Sequence, residues 1–378
     1  MNYDIIIIGS GPGGYVAAIR AAQLGRRVAI VERAEAGGVC LNWGCIPTKA
    51  LVRSAQVYAD CKSAASFGIT VEGDIKPDWQ KIVARERTVA STMNKGVQFL
   101  LKKNDIEFIA GHGRLTSPHT VEVEGTSYEA GAVILATGAR PREMPFMPID
   151  GRHVVSSREA LTLPELPESI VIVGSGAIGS EFAYIFATLG VKVTIVEYMP
   201  QIMPLEDEDT AAAMERAFRK LRAKVLTSTT VKQVSVGDDG RCSVEIEGKK
   251  GAETLTADVV LSAVGIKSNI ENIGLEELGI AVERDKIKVD EHFRTSVEGV
   301  YAIGDIIATP ALAHVASAEA IHCVEHICGL SPEPIDYTTI PSCIFTSPEV
   351  ASVGLSERQA KEQGIECKVG RFQYTASG

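Results

Sequence analysis

Two cysteines, Cys40 and Cys45, lie five positions apart in the segment GGVCLNWGCIPTKAL, residues 37–51. In an ideal α-helix, residues i and i+5 are roughly 8.7 Å apart at Cα, whereas a disulfide requires Cα atoms closer than about 7 Å. The backbone between the cysteines must therefore leave regular helix if the two sulfur atoms are to pair. Gly44 permits that departure, and Pro47 suits the first turn of the helix that follows. An accessible pair of this kind can cycle between dithiol and disulfide, and the alternative is two unrelated thiols near a helix start.

A strand, a glycine-rich turn, a helix and a second strand precede this segment. Residues 3–8 are an apolar run of strand length, and Gly9, Gly11 and Gly14 follow it. Gly9 allows a tight turn, Gly11 lets the backbone approach a pyrophosphate, and Gly14 lets helix and strand pack closely. The second strand ends at Glu32, where a carboxylate can accept hydrogen bonds from ribose hydroxyls. This order predicts a dinucleotide site, and the alternative is a glycine-rich structural turn.

The same pattern occurs a second time. A strand over residues 170–173 leads to Gly174, Gly176 and Gly179, then to a helix and to a strand that ends before Glu197. Two fingerprints in one chain predict two nucleotides, one for each. Glu197 favours the free 2′-hydroxyl of NAD over the 2′-phosphate of NADP, and none of the three residues after it is an arginine.

The composition is that of a globular protein with two or three domains. The chain has 378 residues, of which 45% are apolar and 23% charged. The net charge of −10 argues against nucleic acid as a partner. No apolar run reaches the roughly 18 residues of a membrane span, and residues 3–8 read as a strand rather than a signal peptide. A cytoplasmic protein without a membrane partner is the expectation.

The remaining cysteines suggest neither a disulfide scaffold nor a metal site. Cys61, Cys242, Cys343 and Cys367 are scattered, and we predict that they are buried small side chains. The stretch HCVEHIC at 322–328 places two histidines and two cysteines near one another. It is predicted to be part of a core helix, whereas a zinc site draws four convergent ligands from more than one element. No metal is expected.

The segment GGVCLNWGCIPTKAL together with the two fingerprints resembles the pyridine nucleotide–disulfide oxidoreductases. The resemblance runs along the whole chain. It is strongest to those members that oxidise dihydrolipoamide in 2-oxo-acid dehydrogenase complexes. It implies FAD at the first fingerprint, NAD at the second, and lipoyl domains as partners.

The resemblance also implies roles for four residues. Cys40 matches the interchange thiol, and Cys45 matches the thiol against the flavin. Lys49 and Glu181 match residues that pair near the reactive edge of the flavin, where a positive charge favours a thiolate at Cys45. The alternatives are a solvated first-turn lysine and an ordinary helix-start carboxylate.

Further cofactor contacts are implied where motifs of the family recur. They are Thr137 and Gly138 at the exit of the flavin domain, Gly265 at the end of a strand in the second unit, Gly304 and Asp305 over the ribityl chain, and Ala313 at a helix start. For Gly304 and Asp305 the alternative is an ordinary strand-to-turn pair.

The expected fold class is α/β, with two Rossmann-like domains, the second inserted in the first. The expected division is 1–150 and 271–340 for FAD, 151–270 for NAD, and 341–378 for the start of an interface domain. That domain supplies the contact of a homodimer in the family. Because residues 341–378 match only its beginning, and the family's acid/base histidine lies beyond, we expect this polypeptide to be impaired in the dithiol half-reaction.

Two other functions remain open at this stage. One is a different disulfide reductase, similar to glutathione or mercuric reductase, against which Glu197 argues because such enzymes use NADPH. The other is a flavoprotein that senses redox state without turnover.

Overall fold

The computed structural model describes residues 2–376. The helices are α1 (Pro12–Gln23), α2 (Gly38–Asn42), α3 (Cys45–Lys62), α4 (Trp79–Lys103), α5 (Ser157–Ala160), α6 (Ala177–Thr188), α7 (Glu208–Lys220), α8 (Ala313–Ile327) and α9 (Glu357–Glu362). The strands are β1 (Tyr3–Ile8), β2 (Val28–Glu32), β3 (Glu107–Ala110), β4 (Gly113–Ser117), β5 (Thr120–Val123), β6 (Thr126–Leu135), β7 (Ala139–Pro141), β8 (Val154–Val155), β9 (Ser169–Val173), β10 (Lys192–Val196), β11 (Lys224–Leu226), β12 (Thr230–Val236), β13 (Cys242–Gly248), β14 (Gly251–Ala257), β15 (Val259–Ser262), β16 (Ile266–Ser268), β17 (Val282–Glu283), β18 (Lys286–Ile287), β19 (Val300–Ala302), β20 (Ser342–Ile344) and β21 (Val350–Ser352).

The first sheet carries the first fingerprint. Its parallel strands run in the order β3–β2–β1–β6–β19, and the first half of β6 pairs antiparallel with β5, which pairs with β4. Strands β1 and β2 are almost continuous runs of buried Ile and Val, as expected for parallel strands covered on both faces. Helices α1 and α8 pack against each other beside this sheet.

The second sheet carries the second fingerprint. Its five strands are parallel and follow the order β11–β10–β9–β15–β8. An antiparallel meander, β12–β13–β14, adds a further layer. The mixed α/β architecture with two parallel sheets agrees with the predicted fold class.

The chain crosses between the two sheets twice. Strand β7 lies where the chain passes from the first sheet to the second, and β16 lies where it passes back. These two strands pair with each other in antiparallel orientation. Because β19 rejoins the first sheet after the second is complete, we propose the division 1–150, 151–270, 271–340 and 341–378 for the domains.

Most predicted elements lie where the pattern placed them, and one set of predictions is partly wrong. The stretch at 322–328, predicted to be part of a core helix, lies in α8, which ends at Ile327. Of the scattered cysteines Cys242 is buried, but Cys343 and Cys367 are exposed. Cys343 lies on the short two-stranded β20–β21 ladder, and Cys367 follows α9 in irregular chain, so neither belongs to a covered sheet.

Candidate active site

The backbone between the two cysteines leaves regular helix, as the spacing predicts. Helix α2 ends at Asn42, and α3 begins at Cys45. Gly44 connects them with φ −141° and ψ −111°. Both cysteines are free thiols, and each affects the pKa of the other.

The two thiols are unequal. The hydrogen bond from Cys40 and the positive charge of Lys49 together lower the pKa of Cys45 to about 7, against the opposing effect of burial. The same hydrogen bond, with burial and the neighbouring negative sulfur, raises the pKa of Cys40. Near neutral pH the pair therefore holds its negative charge on Cys45.

Lys49 and Glu181 meet although 132 positions separate them. The Lys49 Nζ atom lies 2.9 Å from both carboxylate oxygens of Glu181. The backbone N–H of Phe345 also donates to Glu181, at 3.0 Å, and the Lys49 Nζ lies 4.9 Å from the centre of the Phe345 ring. The contact follows from the packing of α3 on α6. The carboxylate is 4% exposed and the lysine side chain 34%.

A cavity of about 350 Å³ runs from the first glycine loop to the two cysteines, within the size range of ligand pockets. A Cβ on Gly9 would lie 2.2 Å from the oxygen of Ala136, and one on Gly14 would lie 1.9 Å from the oxygen of Gly9. Nothing lies within 4 Å of a Cβ on Gly11. The first and third glycines are thus needed for chain packing, whereas the second borders open space.

Six further residues predicted to contact the first nucleotide line this cavity, namely Glu32, Thr137, Gly138, Gly304, Asp305 and Ala313, whereas Lys49 does not. Among the described residues, no side chain or backbone group donates a hydrogen bond to the Asp305 carboxylate. Burial raises its pKa, and the charge of Lys286 opposes that effect. Glu319 accepts from the Gly304 N–H at 2.7 Å and so holds the turn before Asp305.

The second glycine loop repeats this geometry. A Cβ on Gly174 would lie 2.4 Å from the oxygen of Ala263, and one on Gly179 would lie 2.0 Å from the oxygen of Gly174. Gly176, at the start of α6, again has open space. Glu197 follows β10 directly. Gly265 follows β15 with φ +110°, and its carbonyl accepts from the N–H of Arg142 in the chain after β7, so it lies at the crossing between the sheets.

Comparison with known proteins agrees with this arrangement. A family described as pyridine nucleotide-disulphide oxidoreductase matches residues 3–320. The chain belongs to this family. The dimerisation domain of the same family matches residues 340–378, which supports a homodimer.

The relatives share one name. Dihydrolipoyl dehydrogenase of Rhizobium etli is 46% identical over 399 residues, covering 100% of this chain and 82% of the relative. That of Bacillus subtilis is 44% identical over 398 residues with the same coverage. Two solved structures are also similar. LpdA from Mycobacterium tuberculosis has TM-score 0.88 at 29% identity, covering 95% of this chain and 80% of that one. The HOCl-induced flavoprotein disulfide reductase RclA from Escherichia coli has TM-score 0.84 at 28% identity, covering 96% and 80%.

Membership of the disulphide oxidoreductase family implies FAD and NAD(H) as cofactors, and the residues fit both. The open space at Gly11 and at Gly176 leaves room for a pyrophosphate at the N-terminus of a helix. The unpartnered, mostly buried Asp305 carboxylate suits a ligand hydroxyl. These residues would hold the nucleotides, and the cysteine pair lines the first cavity.

Several residues of this site were not predicted from the sequence. Burial and the two thiols raise the pKa of Tyr15, which places its phenol within electrostatic reach of the cysteine pair. The Arg158 guanidinium lies 4.2 Å from the centre of the Trp43 ring, and both residues line the cavity. Asn269 is tied to Thr137 by two hydrogen bonds, of 2.6 Å and 3.0 Å. Of these residues, only Trp43 could have been suggested by the sequence, because it lies between the two cysteines.

The histidines at the end of α8 form a cluster of a different kind. The His322 Nε2 atom lies 3.1 Å from Nδ1 of His292, and the His326 ring stacks on His292 at 4.0 Å. Within residues 2–376 no group of three or more His, Cys, Asp or Glu side chains has the geometry to hold a metal ion. In the same range, no helix is both long and apolar enough to cross a membrane.

Proposed function

We propose that this protein is an NAD-dependent dihydrolipoyl dehydrogenase that oxidises dihydrolipoyl groups carried by the lipoyl domains of 2-oxo-acid dehydrogenase complexes. The observation that carries the proposal is the unequal thiol pair of Cys40 and Cys45, which lines the first nucleotide cavity and lies near the Lys49–Glu181 ion pair. The names of the relatives, at 40–46% identity, support the choice of dithiol. The cytoplasmic location remains a prediction.

The first half of the reaction is thiol–disulfide exchange. One thiolate of the dihydrolipoyl group attacks the Cys40 sulfur of the Cys40–Cys45 disulfide, so that a mixed disulfide forms and Cys45 leaves as a thiolate. The second substrate thiolate attacks the substrate sulfur of the mixed disulfide, which releases the cyclic lipoyl disulfide and reduced Cys40. Two electrons and one proton, which stays on Cys40, have then moved from the substrate to the protein, and the second substrate proton has gone to solvent.

The second half returns the protein to the disulfide. NAD⁺ takes two electrons and the remaining proton as hydride, and the sulfur–sulfur bond forms again. Bound FAD supplies the two-electron carrier between the sulfur atoms and the nicotinamide.

The pKa difference supports the separate roles of the two sulfur atoms. In thiol–disulfide exchange the thiol of lower pKa leaves faster. Because the pKa of Cys45 is lowered and that of Cys40 is raised, attack at Cys40 expels the better leaving group. We therefore propose Cys40 as the interchange thiol and Cys45 as the thiol adjacent to the flavin. Lys49 stabilises the Cys45 thiolate, and Glu181 holds Lys49 in place.

The choice of NAD follows from Glu197. A buried carboxylate at the end of β10 repels a 2′-phosphate and accepts from a 2′-hydroxyl. This argues against an NADPH-dependent reductase similar to glutathione reductase.

Anaerobic single-turnover mixing tests the proposal. Dihydrolipoamide should reduce the oxidised protein faster than reduced glutathione does, even if the dithiol half-reaction is slow, and the reduced protein should then convert NAD⁺ to NADH. Cys45→Ser is the matched control and should abolish both steps. Faster reduction by glutathione, or hydride transfer to NADP⁺ in preference to NAD⁺, would contradict the proposal.

A further inference from the structure

The two glutamates that end the second strand of each fingerprint are held in the same way. In the first unit, the backbone N–H and the hydroxyl of Ser10 donate to Oε2 of Glu32 at 2.9 Å and 2.7 Å. In the second unit, the same two groups of Ser175 donate to Oε2 of Glu197 at 2.8 Å and 2.6 Å. Both serines are fully buried and stand directly after the first glycine of their loop. Neither serine was among the predicted site residues.

The remaining carboxylate oxygens are also alike. Oε1 of Glu32 accepts from the N–H of Ala34 at 2.9 Å, and Oε1 of Glu197 accepts from the N–H of Met199 at 2.8 Å. A carboxylate offers about four acceptor positions. The loop and the strand end therefore occupy three positions on each glutamate, two of them on Oε2. One position, on Oε1, is left for a ligand.

We propose that the hydroxyls of Ser10 and Ser175 are positioning groups that fix the rotation of the Glu32 and Glu197 carboxylates, so that a single acceptor position on each is presented to a ribose hydroxyl. On this basis Ser175 contributes to the choice of NAD over NADP although it need not touch the nucleotide. Ser10 has the corresponding role for the adenosine ribose of FAD. The inference goes beyond the proposed function and does not depend on the dithiol substrate.

The surroundings explain why a hydroxyl is needed in addition to the backbone N–H. Without the hydroxyl, one backbone N–H remains on each oxygen of Glu197, whereas the hydroxyl fills the second acceptor position of Oε2 and so leaves the open position on Oε1. Glu197 is 6% exposed, so water does not readily replace a lost donor. The Ser175 oxygen also accepts from the N–H of Met203 at 3.2 Å, which leaves its only hydrogen for Glu197.

Binding of NAD⁺ and NADP⁺ to the oxidised, FAD-loaded protein tests the inference, with titration calorimetry as the readout. Ser175→Ala should raise the Kd for NAD⁺ by about tenfold, as expected for the loss of one hydrogen bond to a charged group. The Kd for NADP⁺ should stay the same or fall, because a carboxylate that can rotate repels the 2′-phosphate less. Purely structural loosening of the loop would weaken both nucleotides by the same factor, and that result would overturn the inference.

A double-mutant cycle separates an effect through Glu197 from any other. Ser175→Ala should shift the NADP⁺-to-NAD⁺ ratio of Kd values in the parent and leave it unchanged in Glu197→Ala. An equal shift in both backgrounds would refute action through Glu197. If Ser175→Ala does not retain FAD, Ser175→Cys, which keeps the shape but weakens the donor, is measured by the same criteria.

Ser10→Ala is the matched variant for the other loop. It should lower the amount of FAD retained on dialysis while the nucleotide ratio of the FAD-loaded fraction stays at the parent value. Full FAD retention by Ser10→Ala would refute the role of Ser10, and a changed nucleotide ratio would show that the two loops do not act separately.

Discussion

Replacement of Lys49 by methionine tests whether this residue keeps Cys45 ionised. The hydrogen bond from Cys40 is the larger cause of the lowered pKa of Cys45, and the charge of Lys49 acts in the same direction. A nearby opposite charge typically moves a pKa by about 1–3 units. Because the lysine side chain is 34% exposed, we expect the low end of that range. A shift of about one unit from about 7 lowers the thiolate fraction at pH 7 from about one half to about one tenth.

Alkylation of the dithiol form provides the assay. The reaction of Cys45 with iodoacetamide, followed by peptide mass spectrometry across pH, reports its thiolate fraction separately from that of Cys40. In Lys49→Met the alkylation profile of Cys45 should move to higher pH by about one unit, whereas Lys49→Arg should keep the parent profile because it keeps the charge. Superimposable profiles for the parent and Lys49→Met would refute the assigned role.

The same substitution should also destabilise the fold. Breaking a buried ion pair from one side costs about 3–5 kcal/mol. Because Lys49 is partly exposed, solvent screening reduces this cost to about 2–3 kcal/mol. The loss stays substantial since the buried Glu181 then keeps only the donor from Phe345. Adding Glu181→Gln should recover part of the loss, since the unpaired charge is then removed. Chemical denaturation would measure the cycle, and additive effects of the two substitutions would contradict direct pairing.

Three further predictions concern the first nucleotide site. Gly11→Ala should leave the fold intact but reduce FAD retention, because its Cβ would enter the open space that the nucleotide needs. Gly14→Ala should lower the melting temperature, because its Cβ would lie 1.9 Å from a backbone oxygen. Equal losses of melting temperature in the two variants would contradict this prediction. Two-electron reduction should produce a long-wavelength thiolate–flavin absorbance that Cys45→Ser abolishes and Cys40→Ser keeps, and loss in both variants would mean that the roles are misassigned. Asp305→Asn should weaken FAD binding by about tenfold in an equilibrium titration. In the flavin-free protein, the raised pKa of Asp305 makes the free energy of unfolding fall as pH rises through the titration of this carboxyl group. Asp305→Asn should remove that fall. If the variant and the parent have the same dependence of stability on pH, the carboxylate is not buried as described.

The elements that hold the nucleotides were predictable from local pattern. Runs of Ile and Val, the three glycines of each fingerprint and the acidic residue that ends each second strand all lie within about 30 residues, and their chemistry depends on local backbone geometry. The break in helix between Cys40 and Cys45 followed from spacing and from Gly44 in the same way.

Only the tertiary structure decided how these pieces meet. Lys49 contacts Glu181 because α3 packs on α6, and Phe345 completes the pair from a third part of the chain. The family resemblance suggested the first of these contacts, but no periodicity in the sequence implies it. The exposure of Cys343 was mispredicted for a related reason, since burial depends on what covers a strand rather than on residue type.

The serine–glutamate contacts lie between these two cases. Ser10 and Glu32, like Ser175 and Glu197, are 22 positions apart in each unit, so the repeat was visible in the sequence. The hydrogen bonds themselves exist because parallel pairing of the two strands of each unit brings the end of the second strand beside the glycine loop that follows the first. Sequence determined which residues carry the chemistry, and strand register decided which of them touch, because side-chain contact between distant segments depends on packing that no local pattern encodes.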